Sequence, residues 1–305
     1  MLRRIVAALL ALAAPQGGAA EEGVCAVAAD GVFMVGYRRD APPMSDAVEG
    51  VPDAAEGYAV ALCRRIHAAL DARCPGKVAL KYKGVEARNR FEALAGGDID
   101  ILCGTTSRTI ARDAFVEFTL PTFITGGVFA SRRGDRVRKV ADLAGRRFGV
   151  IAGTTTDAAL ARALEGARVS AAGRREIAGL SAGLRRLALP EGHADRLDAV
   201  AGDQLTLLRL AASAGDVAVS TDFFSVEHYA LALRPENRAL RVLADGVLAR
   251  LYRANAAGER PIEELFLDHF RDHFRDVSGW RGEIPEGVRL LFALNALPEG
   301  ARDRR

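Results

Sequence analysis

Several common signatures are missing from this chain. No stretch beyond the first twenty residues is long and apolar enough to form a membrane helix. There is no Ser-His-Asp order, no GxSxG and no P-loop, so the usual hydrolase and phosphate-cradling motifs are lacking. The four cysteines form no CxxC, which argues against a zinc ribbon. Lysine is scarce, standing only at 77, 81, 83 and 139. The other basic residues are arginines interleaved with acids, and the formal charge is only +3. That density is far below what a nucleic-acid binder needs. No internal repeat or low-complexity segment is present. The single tryptophan, Trp280, lies in Ser278-Gly-Trp-Arg281 and reads as a packing anchor. His67 and His193 belong to no constellation. His269 and His273 are spaced i, i+4, but the HExxH glutamate is absent and Phe266, Phe270 and Phe274 mark the buried stripe. An exposed pair is expected there, and no metal or cofactor.

The N-terminus speaks for export. Met1-Leu-Arg-Arg4 is basic, Ile5 to Ala14 is apolar but too short to span a bilayer, and Gly18-Ala19-Ala20 offers a small-residue cleavage point. Residues 1–20 are therefore read as a signal peptide and the location as the periplasm. In that oxidising compartment four cysteines suggest two disulfides, with three possible pairings. Cys63 lies within a predicted helix that should pack on the strand ending at Cys103, and Cys25 and Cys74 each precede a strand. Cys25–Cys74 with Cys63–Cys103 is the favoured arrangement.

Two segments carry the chemistry. The run Ile99–Leu102 reads as a buried strand ending in Gly104, Thr105, Thr106 and Ser107, with Arg112 on the following turn. The run Phe148–Ile151 reads as a second strand, followed by Gly153 and Thr154-Thr155-Thr156 at the start of a helix. Hydroxyls and free N–H groups donate, and a guanidinium fork can hold both oxygens of a carboxylate. Two such places suggest a small anionic ligand held from two sides.

Strands and helices alternate along the chain. Strands are expected at Val32–Tyr37, Val78–Tyr82, Ala199–Ala201 and Glu227–Leu233. Helices are expected at Tyr58–Leu70, Arg90–Ala95 with Asn89 as cap, Ala158–Leu164, Leu180–Leu189, Leu205–Ala212, Leu240–Arg253 and Ile262–Phe274. This βαβ order predicts an α/β fold with parallel sheets, whose ligands sit beyond the strand carboxyl ends. Arg38, Thr105 to Arg112, Thr154 to Thr156 and Asp203 all follow strand ends.

Val35-Gly36-Tyr37-Arg38, Gly57-Tyr58, Asn89-Arg90, Cys103-Gly-Thr-Thr-Ser107 with Arg112, Phe118-Thr-Leu-Pro121, Gly153-Thr-Thr155, Ala201-Gly-Asp203 and Tyr229-Ala-Leu-Ala-Leu-Arg234 follow one another in order. Over nearly all of the mature chain this resembles the periplasmic solute-binding proteins, family 3, of polar amino-acid ABC transporters. The glutamate/aspartate-binding branch is the most similar. The resemblance implies a two-lobe fold, each lobe a mostly parallel sheet flanked by helices, joined by two crossover strands near Thr122–Gly127 and Thr221–Glu227. One lobe would comprise residues 26–124 plus 225–298, the other 125–224, with 299–305 a disordered tail. It also implies a monomer, a membrane ABC permease as partner and hinge closure over an amino acid.

The implied roles follow charge. Arg112 would take the α-carboxylate, helped by a hydroxyl of Thr154 or Thr155. Asp203 would accept the α-ammonium, helped by the backbone of Thr105 and the hydroxyl of Ser107. Arg38 and Arg90 would face an acidic side chain, because an unpaired buried charge is costly. The plain alternatives are an ion pair of Arg112 with Asp113 or Glu117, and a helix N-cap for Asp203. The chain departs from the branch at Pro43-Met44, where an aromatic usually follows the proline, and at Ala87, where a hydroxyl residue is common. The competing class is an enzyme on the same fold, similar to the cyclohexadienyl dehydratases, for which Glu56, Glu86 or Glu176 would have to supply the acid, and a third option is a binding protein that feeds a sensor instead of a transporter.

Overall fold

The computed structural model describes residues 23–274 and 283–298, and the side chains of 272–274 are not among those described. The expected signal peptide, the tail from 299, Trp280 and the side chain of His273 therefore lie outside the described residues.

Three parallel strands form one flank of the sheet. β1 (Val32–Arg38) pairs on one side with β5 (Ala79–Val85) and on the other with β6 (Ile101–Cys103). α1 (Tyr58–Asp71) covers this flank because its Tyr58, Ala59, Leu62, Cys63, Ile66 and Leu70 recur on one face and are buried. Between β1 and α1 the chain folds a small sheet of β2 (Asp40–Ala41), β3 (Ser45–Ala47) and β4 (Ala55–Glu56). Gly57, at φ 118°, lets the chain enter α1 where a Cβ would meet the backbone of Met44 at 2.6 Å. α2 (Arg90–Ala95) begins where the sequence places it, but Asn89 does not cap it. Its Oδ1 accepts instead from the Glu86 N–H, at 2.8 Å.

The opposite flank repeats the parallel pattern. β8 (Arg147–Val150) lies between β9 (Gly173–Glu176) and β10 (Ala199–Asp203). α4 (Thr155–Gly166) and α5 (Leu180–Leu187) connect these strands and α6 (Gln204–Ala211) follows β10, after a short α3 (Ile110–Asp113) in the first flank.

The centre differs from the sequence reading. β7 (Glu117–Arg132) is one continuous strand, and β12 (Ser225–Leu233) runs antiparallel to it from Ser225 opposite Gly127 to Leu233 opposite Glu117. β10 and the short β11 (Val217–Val219) also pair antiparallel with β7. The result is a single nine-stranded sheet, parallel at both flanks and antiparallel in the middle. The expected mostly parallel sheets are present at the flanks, and the antiparallel centre arises because the two crossovers run in opposite directions and hydrogen-bond to each other.

The fold is nonetheless two lobes. One set of buried residues joins α1, β1 and β6 to α7 (Arg238–Ala256), α8 (Pro261–Phe274) and α9 (Glu286–Leu294). Separate clusters around Val128, Leu184, Val200 and Leu207, and around Phe129, Phe148, Val150 and Leu160, fill the other lobe. Phe266 and Phe270 stack on Phe123 of β7 and meet Tyr58 edge-on, so α8 is fastened to the crossover strand. The disulfides are Cys25–Cys74 and Cys63–Cys103, the favoured pairs. No helix of the described residues is long and apolar enough to cross a membrane.

Candidate functional site

Between the lobes lies a cleft of about 530 Å³, open solvent at its mouth included. Arg38, Arg90, Thr105, Ser107, Arg112, Thr154, Thr155 and Asp203 all line it, together with Asp40, Leu180, Thr206 and Tyr229. Residues from 38 to 229 converge because the parallel strands of both flanks deliver their carboxyl ends to this gap.

Arg112 is buried and held from below. Its Nη1 donates to the Ser107 carbonyl at 2.7 Å, and its guanidinium lies 5.1 Å from the Phe91 ring centre. The alternative ion pairs are taken by others, since Asp113 pairs with Arg108 and Glu117 with Arg241. Arg90 is only 2% exposed. It donates to the Ala87 carbonyl and packs 4.7 Å from the centre of Phe91, while its Nε has no partner. Among the described residues no carboxylate pairs with it, and burial, with Arg112 and Arg38 nearby, pushes its pKa down to about 9. It keeps its charge at neutral pH, in a place that disfavours the charge.

Arg38 is different. Both Nε and Nη2 reach Asp40 Oδ1, at 2.7 and 2.6 Å. Its charge is matched two residues along the chain by Asp40, the first residue of β2. The sequence reading did not include Asp40, although an acid at i+2 from a strand-end arginine was visible.

Asp203 is the N-cap of α6 and accepts the Thr206 N–H at 3.0 Å. Its other oxygen accepts the Tyr229 hydroxyl at 2.8 Å. Burial raises its pKa, and these hydrogen bonds act against that. The cap and a ligand contact are compatible, since a carboxylate offers about four lone-pair directions. Tyr229 was seen as a landmark only.

The hydroxyls are committed in ways the sequence did not reveal. Thr154 caps α4 by accepting the Asp157 N–H at 3.1 Å and gives its own proton to the Ile151 carbonyl at 2.8 Å. Thr155 Oγ1 donates to Glu227 Oε2 at 2.6 Å. Neither side chain is left as a donor to a ligand carboxylate. The donors that α4 offers are the first N–H groups of the helix, those of Thr155 and Thr156, which have no partner within the helix. Gly153, at φ 71°, makes the turn that brings them there. Glu56, Glu86 and Glu176 are exposed and do not line the cleft. Among the described residues no group of three metal-ligating side chains occurs, and His269 Nδ1 bonds the Leu265 carbonyl.

This arrangement can hold one small zwitterion. It has cations and helix N–H groups for carboxylates, and Asp203 with hydroxyl oxygens for an ammonium.

The chain is similar to known proteins in sequence and in fold. The chain is 26% identical over 166 residues to a glutamate/aspartate import solute-binding protein of Salmonella typhimurium, covering 51% of this chain and 54% of the relative. It is 36% identical over 115 residues to a general L-amino acid-binding periplasmic protein of Rhizobium johnstonii, covering 36% of this chain and 33% of the relative. The chain thus spans about half, or less, of the length of these relatives. The structure of the arginine-bound form of truncated ArgBP from T. maritima superposes with a TM-score of 0.63 at 25% identity, over 74% of this chain and 99% of that one. The sequence model of the bacterial extracellular solute-binding proteins, family 3, matches residues 33–259, and the chain belongs to that family.

Proposed function

We propose that this protein captures an acidic amino acid, glutamate or aspartate, in the periplasm and hands it to a membrane ABC permease. Its lobes, residues 26–124 plus 225–298 and residues 125–224, close over the ligand about β7 and β12. It acts as a monomeric carrier and not as an enzyme: the carboxylates lining the cleft are Asp40 and Asp203, both already hydrogen-bonded.

The observation that carries the acidic preference is Arg90. Arg112 and the first turn of α4 serve the α-carboxylate, and Asp203 the α-ammonium. Arg38 is neutralised by Asp40. That leaves one buried guanidinium with an unpaired Nε beside Arg112, and a second carboxylate on the ligand relieves it. The relatives are mixed in this respect, since their names include glutamate/aspartate, general amino-acid and arginine binders.

Calorimetry with L-glutamate and L-glutamine on the wild type and on Arg90→Met tests this. A glutamine amide turns an N–H₂ toward donors and leaves the cation unpaired. That costs roughly 2–5 kcal/mol, about 30-fold to several thousand-fold in affinity. Wild type should prefer glutamate by at least the lower figure, and Arg90→Met should erase the preference. Equal wild-type affinities, or a preference for arginine, would rule out the acidic ligand.

A further inference from the structure

Glu227 was not among the residues the sequence singled out. It stands near the start of β12, where the second crossover enters the sheet, and is 3% exposed. Three hydroxyls donate to it. Ser225 Oγ reaches Oε1 at 2.9 Å, while Thr155 Oγ1 reaches Oε2 at 2.6 Å and Ser107 Oγ reaches the same oxygen. Ser107 follows β6 of one lobe and Thr155 opens α4 of the other, and their oxygens are 3.2 Å apart. Backbone bonds hold Ser107 in place, since the Thr106 carbonyl accepts the Ala230 N–H at 3.1 Å and the Arg108 N–H donates to the His228 carbonyl at 2.9 Å.

A carboxylate accepts and does not donate, and each hydroxyl has one proton. With those protons spent on Oε2, both hydroxyls present only lone pairs to the cleft they line. We propose that Glu227 is a positioning residue that fixes Ser107 and Thr155 as a paired acceptor, so that the ligand's α-substituent must be a hydrogen-bond donor. The site thereby selects an amino acid over the 2-oxo acid of the same skeleton, whose α-oxygen can only accept. Asp203 supplies charge for the ammonium, and Glu227 sets the polarity of the neutral oxygens beside it. This inference rests on the amino-acid reading of the cleft but not on the acidity of the side chain.

The test compares L-glutamate with 2-oxoglutarate by calorimetry on wild type, Glu227→Met and Glu227→Gln. In Glu227→Met the hydroxyls are free to turn and donate. The preference for glutamate should fall roughly tenfold or more, with 2-oxoglutarate bound no more weakly than by wild type, since a hydrogen bond to a charged group is worth about that much. Glu227→Gln can still offer its carbonyl oxygen to both hydroxyls and should keep most of the preference. A purely structural role would weaken both ligands alike. An unchanged preference in Glu227→Met overturns the proposal, and so does an equal fall in Gln and Met, which would assign the effect to charge alone. If Glu227→Met does not fold, Thr155→Val removes one acceptor and should lower the preference several-fold; no fall overturns the proposal. If glutamate does not bind but L-glutamine or L-arginine does, the acidic reading alone fails, and the comparison is made between that amino acid and its own 2-oxo acid. Binding of none of the three by wild type would overturn both readings.

Discussion

Gly104-Thr-Thr-Ser107 and Gly153-Thr-Thr-Thr156 are nearly the same string, each placed just after a buried strand. The protein uses them for opposite purposes. After Gly104 the chain stays extended along β12, and α3 is only four residues long. What this segment delivers is the Arg112 side chain, propped on the Ser107 carbonyl. After Gly153 a twelve-residue helix begins at once, with Thr154 as its cap. That segment delivers backbone N–H groups. Both segments line the cleft, and the length of the helix that follows decides whether a side chain or a helix terminus is presented to it. The two meet at Glu227, which collects one hydroxyl from each.

The largest effect should come from removing what only the first segment supplies. Arg112→Ala should reduce amino-acid binding by up to about 5 kcal/mol, below detection in a calorimeter, because the α-carboxylate loses its guanidinium. Thermal unfolding should change little, since among the described residues that arginine pairs with no carboxylate. Affinity within a few-fold of wild type would show that the two segments do not divide the work in this way.

The first segment also has a covalent brace that the second lacks. Cys103 directly precedes Gly104 and is tied to Cys63 of α1, 40 residues away along the chain. Replacing both with alanine should cost about 4 kcal/mol of stability on the chain-entropy account of such a loop. A denaturant titration measures this, and a loss below about 1 kcal/mol would mean that packing alone holds the segment.

The smallest expected effect belongs to the second segment. Thr154→Ala removes a cap and should cost about 1 kcal/mol of stability, read in the same titration. Ligand affinity should drop only a few-fold, because the helix N–H groups remain and the Thr154 hydroxyl is already spent on Ile151. A loss of binding as large as that from Arg112→Ala would make Thr154 a direct ligand contact and erase the asymmetry.

Much of the site was legible because its residues sit beside strong local signals. Arg112, Thr155 and Asp203 each follow an apolar run and a glycine or hydroxyl cluster, and a parallel α/β architecture sends such places to one edge. Helices with a clear apolar face, such as Tyr58–Asp71 and Leu180–Leu187, were recognisable to within a few residues. What was lost were features without a local period. β7 hides in the sequence because its sixteen residues change neighbours halfway, from β12 to β10 and β11. The small sheet of β2, β3 and β4 is too short to carry any pattern. The three arginines looked alike, yet Arg38 is neutralised by Asp40, Arg112 is propped by a carbonyl, and Arg90 is left without a carboxylate.

The sequence alone determined which chemical groups are available and which strand ends they follow, because alternating apolar runs and turn residues act over a few neighbouring positions. It determined the α/β class and narrowed the cysteine pairs in the same way. Only the tertiary structure decided which charges are compensated and which way each hydroxyl proton points. Those properties depend on partners 48 to 120 residues apart, as in the contacts among Ser107, Thr155 and Glu227. Burial strips water from these groups, so each must find its partner within the protein or in the ligand.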